Sequence, residues 1–164
     1  MPLSSNGVIC GCLGGDFLFV GAGDGKIKKI SLANGGWSLT HEAMLDSKVV
    51  SVNLSNSGQE LIVGTLAGKM YRILVNDFSF LLHSDSHSAC INDISFGTDS
   101  DKFVAIDESG ALKVWDLSDY KPLLTLFAPK PVGGVCCFVS KDDGTVMSGW
   151  RDGFLRCFDI TSHK

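Results

Sequence analysis

A fourteen-residue pattern occurs four times in this chain at near-constant spacing: FLFVGAGDGKIKKI (Phe17–Ile30), ELIVGTLAGKMYRI (Glu60–Ile73), KFVAIDESGALKVW (Lys102–Trp115) and TVMSGWRDGFLRCF (Thr145–Phe158). The turn glycines Gly25, Gly68, Gly110 and Gly153 are separated by 43, 42 and 43 residues. Self-similarity at that period dictates an array of one supersecondary unit, because so short a unit cannot bury its apolar face alone. Any fold offered for the 164 residues must therefore repeat about four times.

Each copy reads as strand, tight turn, strand. Asp24-Gly25 and Asp152-Gly153 are turn dipeptides in equivalent places; glycine tolerates positive φ there and aspartate can bond nearby backbone. A further strand precedes each hairpin: Val8–Leu13, Val49–Leu54, Ile91–Phe96 and Val135–Val139. Another follows three of them, at Trp37–Met44, Phe78–His83 and Pro122–Leu126. Four short strands per unit of this length make the blade of a β-propeller. Helical repeats are excluded, because the segments are short, rich in β-branched and aromatic residues, and broken by glycine. An α/β layout fails for want of amphipathic helices between strands. The fold class is all-β, with about four propeller blades over residues 8–160: roughly 8–45, 46–84, 88–127 and an incomplete 133–160, followed by a 161–164 tail.

Composition narrows the function. Apolar residues make up 45% and charged residues 20%, as in a well-buried domain. Net charge is −4, and no basic stripe exists to neutralise phosphates, which argues against nucleic acid as a partner. No signal peptide or membrane segment is evident. Six cysteines without a secretory signal fit reduced thiols. The expected compartment is cytoplasmic, with no membrane partner.

The third unit resembles a WD40 repeat. His87 precedes Trp115-Asp116 by 28 positions, and Phe96 falls nine residues after His87. The resemblance implies a hydrogen-bonded tetrad of that His, a second-strand Ser or Thr, a turn Asp and the Trp. Ala105 stands at the hydroxyl position and Ser109 at the turn position, so the tetrad is not expected to close here. The fourth unit keeps Ser148 and Asp152 but has Phe158 in place of Trp and no histidine. Over Leu61–Asp159 the segments LIVGTLAGKMYRI, HSACINDISF, LKVWDL and SGWRDGFLRCFD are similar to the cilia- and flagella-associated WD-repeat proteins of axonemal doublet microtubules. That resemblance implies a structural role, with tubulin and other axonemal proteins as partners and the cilium or flagellum as location.

Other candidate sites weigh less. Gly21-Ala22-Gly23-Asp24-Gly25 fails as a dinucleotide fingerprint, since residue 26 is Lys26 and no helix follows. Cys10 and Cys12 share one face of a strand about 6–7 Å apart, but a structural zinc site needs four spaced ligands. Cys136 and Cys137 are adjacent on a strand and point apart. No cofactor or metal is expected. His87 as a base, with Asp93 or Ser84 near it in sequence, lacks a third group at defined spacing, and no catalytic residues are assigned. Trp115 is expected in the core, where truncation to alanine costs about 3–5 kcal/mol. Trp150, beside Arg151, reads either as a partner contact or as packing on the neighbouring blade.

The expected display face carries the turns Leu66–Ala67, Glu108–Ser109 and Arg151–Asp152 and the connectors Glu42–Lys48, Ser84–Ala89 and Phe127–Val132. Lys130, between Pro129 and Pro131, sits on a stiff loop suited to a preorganised contact. An open arc of blades would leave two apolar faces at or above the roughly 300–600 Å² that monomers carry. The chain thus reads as part of a larger propeller, or as one completed by another chain, with a four-bladed ring as the minor alternative. Function reads as a non-enzymatic scaffold, which the resemblance above implies is a component of the axoneme. The alternative is a peptide-recognition subunit of a cytosolic regulatory complex.

Overall fold

The computed structural model of the chain describes residues 3–83, 87–98, 101–141 and 144–161. Fifteen strands lie among them. The first sheet is β1 (Val8–Gly14), β2 (Phe17–Ala22), β3 (Lys26–Ser31) and β4 (Ser38–Met44). The second is β5 (Val49–Leu54), β6 (Glu60–Thr65), β7 (Met70–Leu74) and β8 (Phe80–His83). The third is β9 (Ile91–Phe96), β10 (Lys102–Asp107), β11 (Ala111–Asp116) and β12 (Pro122–Phe127). The fourth has β13 (Gly134–Val139), β14 (Thr145–Trp150) and β15 (Leu155–Asp159). Each sheet is an antiparallel meander in chain order, and no strand crosses between sheets. The expected tail beyond Thr161, and Ser84 with its two successors, lie outside the described residues.

The hairpin turns form for the reason the sequence implied. Gly25, Gly68, Gly110 and Gly153 have φ of +85°, +77°, +88° and +82°, a region that L side chains enter only with strain. Lys26 and Phe154 donate backbone N–H groups to Asp24 and Asp152.

Sheets stack in order through their first strands, β1 against β5, β5 against β9 and β9 against β13. Three cores fill the seams. Phe19, Ile27 and Ala43 meet Val52, Leu61, Val63, Tyr71 and Ile73 in the first. Ile62 and Met70 meet Ile91, Ile94, Phe103, Ala105 and Trp115 in the second. Val104, Ile106, Leu112 and Val114 meet Cys137, Val146 and Trp150 in the third. The ring does not close, so the architecture is an incomplete WD40-type propeller. On the outer face of the first sheet Val20 and Ile30 are buried, whereas Leu13 and Leu39 are exposed.

Two outer strands start later than the sequence suggested. β4 begins at Ser38 and β8 at Phe80, because Trp37 and Phe78 belong to the preceding connections. Phe78 and Tyr120 both have positive φ, +59° and +58°, and both turn inward into a seam. A bulky side chain in that conformation costs on the order of 1–3 kcal/mol, offset here by burial of an aromatic ring.

Close approach of the sheets demands small residues in β2 and β6. A Cβ on Gly21 would lie 2.3 Å from Val49, and one on Gly64 would lie 2.7 Å from Ile91. Gly21→Ala is therefore expected to lower stability by about 1–3 kcal/mol through overpacking. Thermal or urea unfolding would measure this, and an unchanged midpoint would contradict the notch geometry.

Candidate functional site

The third sheet contains a buried polar cluster. His87 Nδ1–H donates to Asp107 Oδ2 at 2.9 Å, and both side chains are 0% exposed. Asp107 Oδ1 also accepts from Ser109 Oγ at 2.7 Å and from the Ala111 N–H at 2.9 Å. Burial pushes the Asp107 carboxyl up, but these three donors outweigh it and hold the group below the usual carboxylate range. Trp115 stacks on Phe103 with ring centroids 6.0 Å apart, and its centroid lies 6.3 Å from that of His87. Trp115 Nε1 and His87 Nε2 are buried without a partner among the described residues. Ala105, also fully buried, belongs to the same core as Trp115. A Ser or Thr at position 105 would carry a hydroxyl able to accept and donate in this core, where alanine offers none.

Sequence reasoning missed Asp107, because the expected acid position was Ser109. Asp107 lies at the end of β10 rather than in the turn, and its carboxylate reaches His87 from there. In the fourth sheet, Trp150 Nε1 donates to Ser148 Oγ at 2.8 Å, and both are buried. Of the two readings of Trp150, the structure contradicts the exposed partner contact: the residue is 4% exposed and packs in the third seam against the neighbouring sheet. Asp152 does not join Ser148. It forms a two-pronged ion pair with Arg156, at 3.0 and 2.6 Å. Asp116 likewise serves a local turn, accepting from the N–H and hydroxyl of Ser118.

His87 cannot act as a base on a substrate, since its ring has no solvent access. Asp93 is occupied at the third seam, accepting from the Cys137 N–H at 2.9 Å. Cys10 and Cys12 face the first seam; burial pushes their thiols up to about 11 and about 12. Such thiols are inert packing groups. Among the described residues, no group of three or more His, Cys, Asp or Glu side chains could hold a metal ion. Among them, no helix is long and apolar enough to cross a membrane.

The display face is built by backbone pairing. The turn residues Leu66, Glu108 and Arg151 donate N–H groups to Lys48, Cys90 and Gly133 in the connectors, at 2.9, 2.9 and 3.0 Å. On this face Arg151 makes a two-pronged ion pair with Glu108, both contacts at 2.7 Å, and Asn92 donates to the same carboxylate at 2.8 Å. Arg151 is thus committed to Glu108 while remaining exposed, and Lys130 is exposed between exposed prolines.

Side chains also bond the backbone of the next sheet. Ser51 Oγ donates to Ile91 O, Asn53 to Ile94 O and Asn92 to Gly134 O, at 2.8, 2.9 and 2.7 Å. Lys29 Nζ donates to Val75 O at 2.8 Å while lying 4.2 Å from the Phe17 ring centre.

Ala105→Ser is expected to raise stability by about 0.5–1.5 kcal/mol by giving Trp115 and His87 a shared partner. Calorimetric unfolding would read this; a loss of stability would contradict the account of the orphaned atoms. Asp107→Asn removes a carboxylate whose folded pKa is depressed. Such a group stabilises the fold above its unfolded pKa, and that contribution is lost as pH falls through the folded value. The variant should therefore be less stable at neutral pH, by about 1.5–3 kcal/mol for hydrogen bonds to a charged group, with the gap narrowing below about pH 4. Unfolding curves measured across that range would show a constant gap if the Asp107 carboxyl carried no charge.

No protein-family model matches the chain. It is 26% identical over 156 residues to human cilia- and flagella-associated protein 52, covering 95% of this chain, and 25% identical over 150 residues to the Chlamydomonas reinhardtii protein of the same name, covering 92%. In each case it spans 24% of the relative's length. It is also 29% identical over 126 residues to the Drosophila melanogaster GATOR2 complex protein Wdr24, covering 72% of this chain and 16% of that protein. The structure of U3-55K superposes with a TM-score of 0.88 at 17% identity, over 98% of this chain and 51% of that one. The computationally designed Ika4 protein superposes at 0.82 and 19% identity, over 96% and 93%. The chain is thus an arc of a WD40-type propeller whose relatives include the cilia- and flagella-associated WD-repeat proteins.

Proposed function

We propose that the chain is a rigid, non-enzymatic scaffold for protein–protein contacts in the ciliary or flagellar axoneme. The observation that carries this reading is similarity to the two cilia- and flagella-associated proteins across at least 92% of the chain, all four sheets included. The physical arrangement agrees with it. Backbone pairing of turns to connectors holds the display face in place before any partner arrives, so binding orders little chain. The exposed groups on that face, Arg151, Glu108 and Lys130, are of the kind that forms a polar contact rim. Tubulin and accessory axonemal proteins are the proposed partners, with contacts through this face.

A second reading rests on the similarity to Wdr24: a recognition subunit of a cytosolic regulatory complex. Expression of the tagged chain in cells bearing motile cilia separates the two. The scaffold reading expects axonemal localisation that persists after detergent extraction. A diffuse cytosolic signal, with recovery in a discrete soluble complex, would favour the second reading and reject the first.

A further inference from the structure

Most charges on the display face cancel within the chain. Asp46 pairs with Lys69, Glu108 with Arg151, and Asp152 with Arg156. Over the first sheet Lys26 and Lys28 share Glu42, and Asp24 stands in the turn beside them. Two cations of this face enter no ion pair among the described residues: Lys48, half-buried, and Lys130, exposed. The opposite face has the reverse surplus. There Asp16, Asp77, Asp101 and Asp116 enter no ion pair among the described residues, against Lys102 and Lys141. A chain of net charge −4 thus turns its residual positive charge toward the display face.

The fold fixes where those cations stand. Lys48 O accepts the Leu66 N–H at 2.9 Å, which sets the lysine beside a leucine that is 53% exposed. Burial and the Glu108 and Asp107 carboxylates push the Cys90 thiol up, while Lys48 and Arg151 draw it down. Cys90 therefore lies near both Lys48 and the Glu108–Arg151 pair. Arg151 in turn donates its N–H to Gly133 O, three residues after Lys130 on the connector stiffened by Pro129 and Pro131. These contacts lay out a row from Lys48 and Leu66, past the neutralised Glu108–Arg151 pair, to Lys130. Both lysines stand on connectors between sheets of this chain, with a described sheet on either side.

We infer, resting on the scaffold reading, that this row receives an extended acidic segment of a protein partner, its carboxylates on Lys48 and Lys130 and an apolar residue on Leu66. Charge complementarity selects that segment. An acidic chain is drawn to these two ammonium groups, whereas a basic one meets them as like charges. The carboxylates of this part of the face cannot serve a basic partner without giving up Lys69 or Arg151. Nucleic acid, the other polyanion, needs a longer basic stripe, since its affinity grows with the number of phosphates neutralised.

Fluorescence anisotropy of a labelled peptide, glutamates around one leucine, titrated with the purified chain tests this. Binding is expected, weakening as salt rises, and the same peptide with glutamine for glutamate should not bind. Lys48→Glu and Lys130→Glu should each weaken binding by about three- to tenfold, since reversal adds repulsion to the loss of an exposed pair. Lys141→Glu, on the opposite face, should leave it unchanged. All three lie outside the cores, so circular dichroism spectra should match that of the parent chain. No binding of the glutamate peptide would overturn the inference. So would equal binding of the glutamine peptide, tighter binding of a single-stranded oligonucleotide, or as large a loss in Lys141→Glu as in Lys48→Glu. Axonemal retention of the tagged chain without peptide binding would leave the scaffold standing and reject the acidic segment. Peptide binding with a diffuse cytosolic signal would do the reverse.

Discussion

The seam between successive sheets is the constraint from which the rest of the architecture follows. A sheet of four short strands has two apolar faces and cannot stand alone in water. Stacking solves this only if the first strands come close, and that closeness requires the glycine notches at Gly21 and Gly64. Once the strands are near, Ser51, Asn53 and Asn92 can reach the next backbone and satisfy carbonyls. Those bonds fix the register, whereas burial of the three apolar cores supplies most of the stabilisation.

Polar specialisation of individual sheets is secondary to that packing. The third sheet holds its hairpin with a buried His87–Asp107 pair, and the fourth uses a Trp150–Ser148 bond in the third seam. The first two sheets do without either device. A repeat fold tolerates such divergence because each unit contacts its neighbours only, so a weakened cluster is compensated locally. The Trp115 and His87 nitrogens have no partner among the described residues, and alanine at position 105 brings no hydroxyl to that core.

Much of this was readable from the residues. Period, turn glycines and strand order are local properties, and the four copies report them redundantly. The position of Trp115 in a core followed from the Trp-Asp ending of its strand. Asp107 was not readable, because its partner lies 20 residues away and the expected acid position was filled by Ser109. Trp150 was ambiguous in sequence, since a tryptophan beside a turn fits both a partner surface and a seam; only the path of the neighbouring sheet decides it. The plugs Phe78 and Tyr120 were hidden because aromatic residues next to a strand look like strand residues. Nothing local signals a left-handed backbone at a bulky side chain.

Those plugs give the molecule a direction. Each is carried by the connection of one sheet but seated against the sheet before it, so support runs from later units to earlier ones. A lesion at Tyr120 would loosen Glu60 and Arg72 in the second sheet as well as the packing on Phe103 in its own. Damage to one connection in such an array therefore reaches the sheet on its amino-terminal side, as slack passes between interlocked tiles.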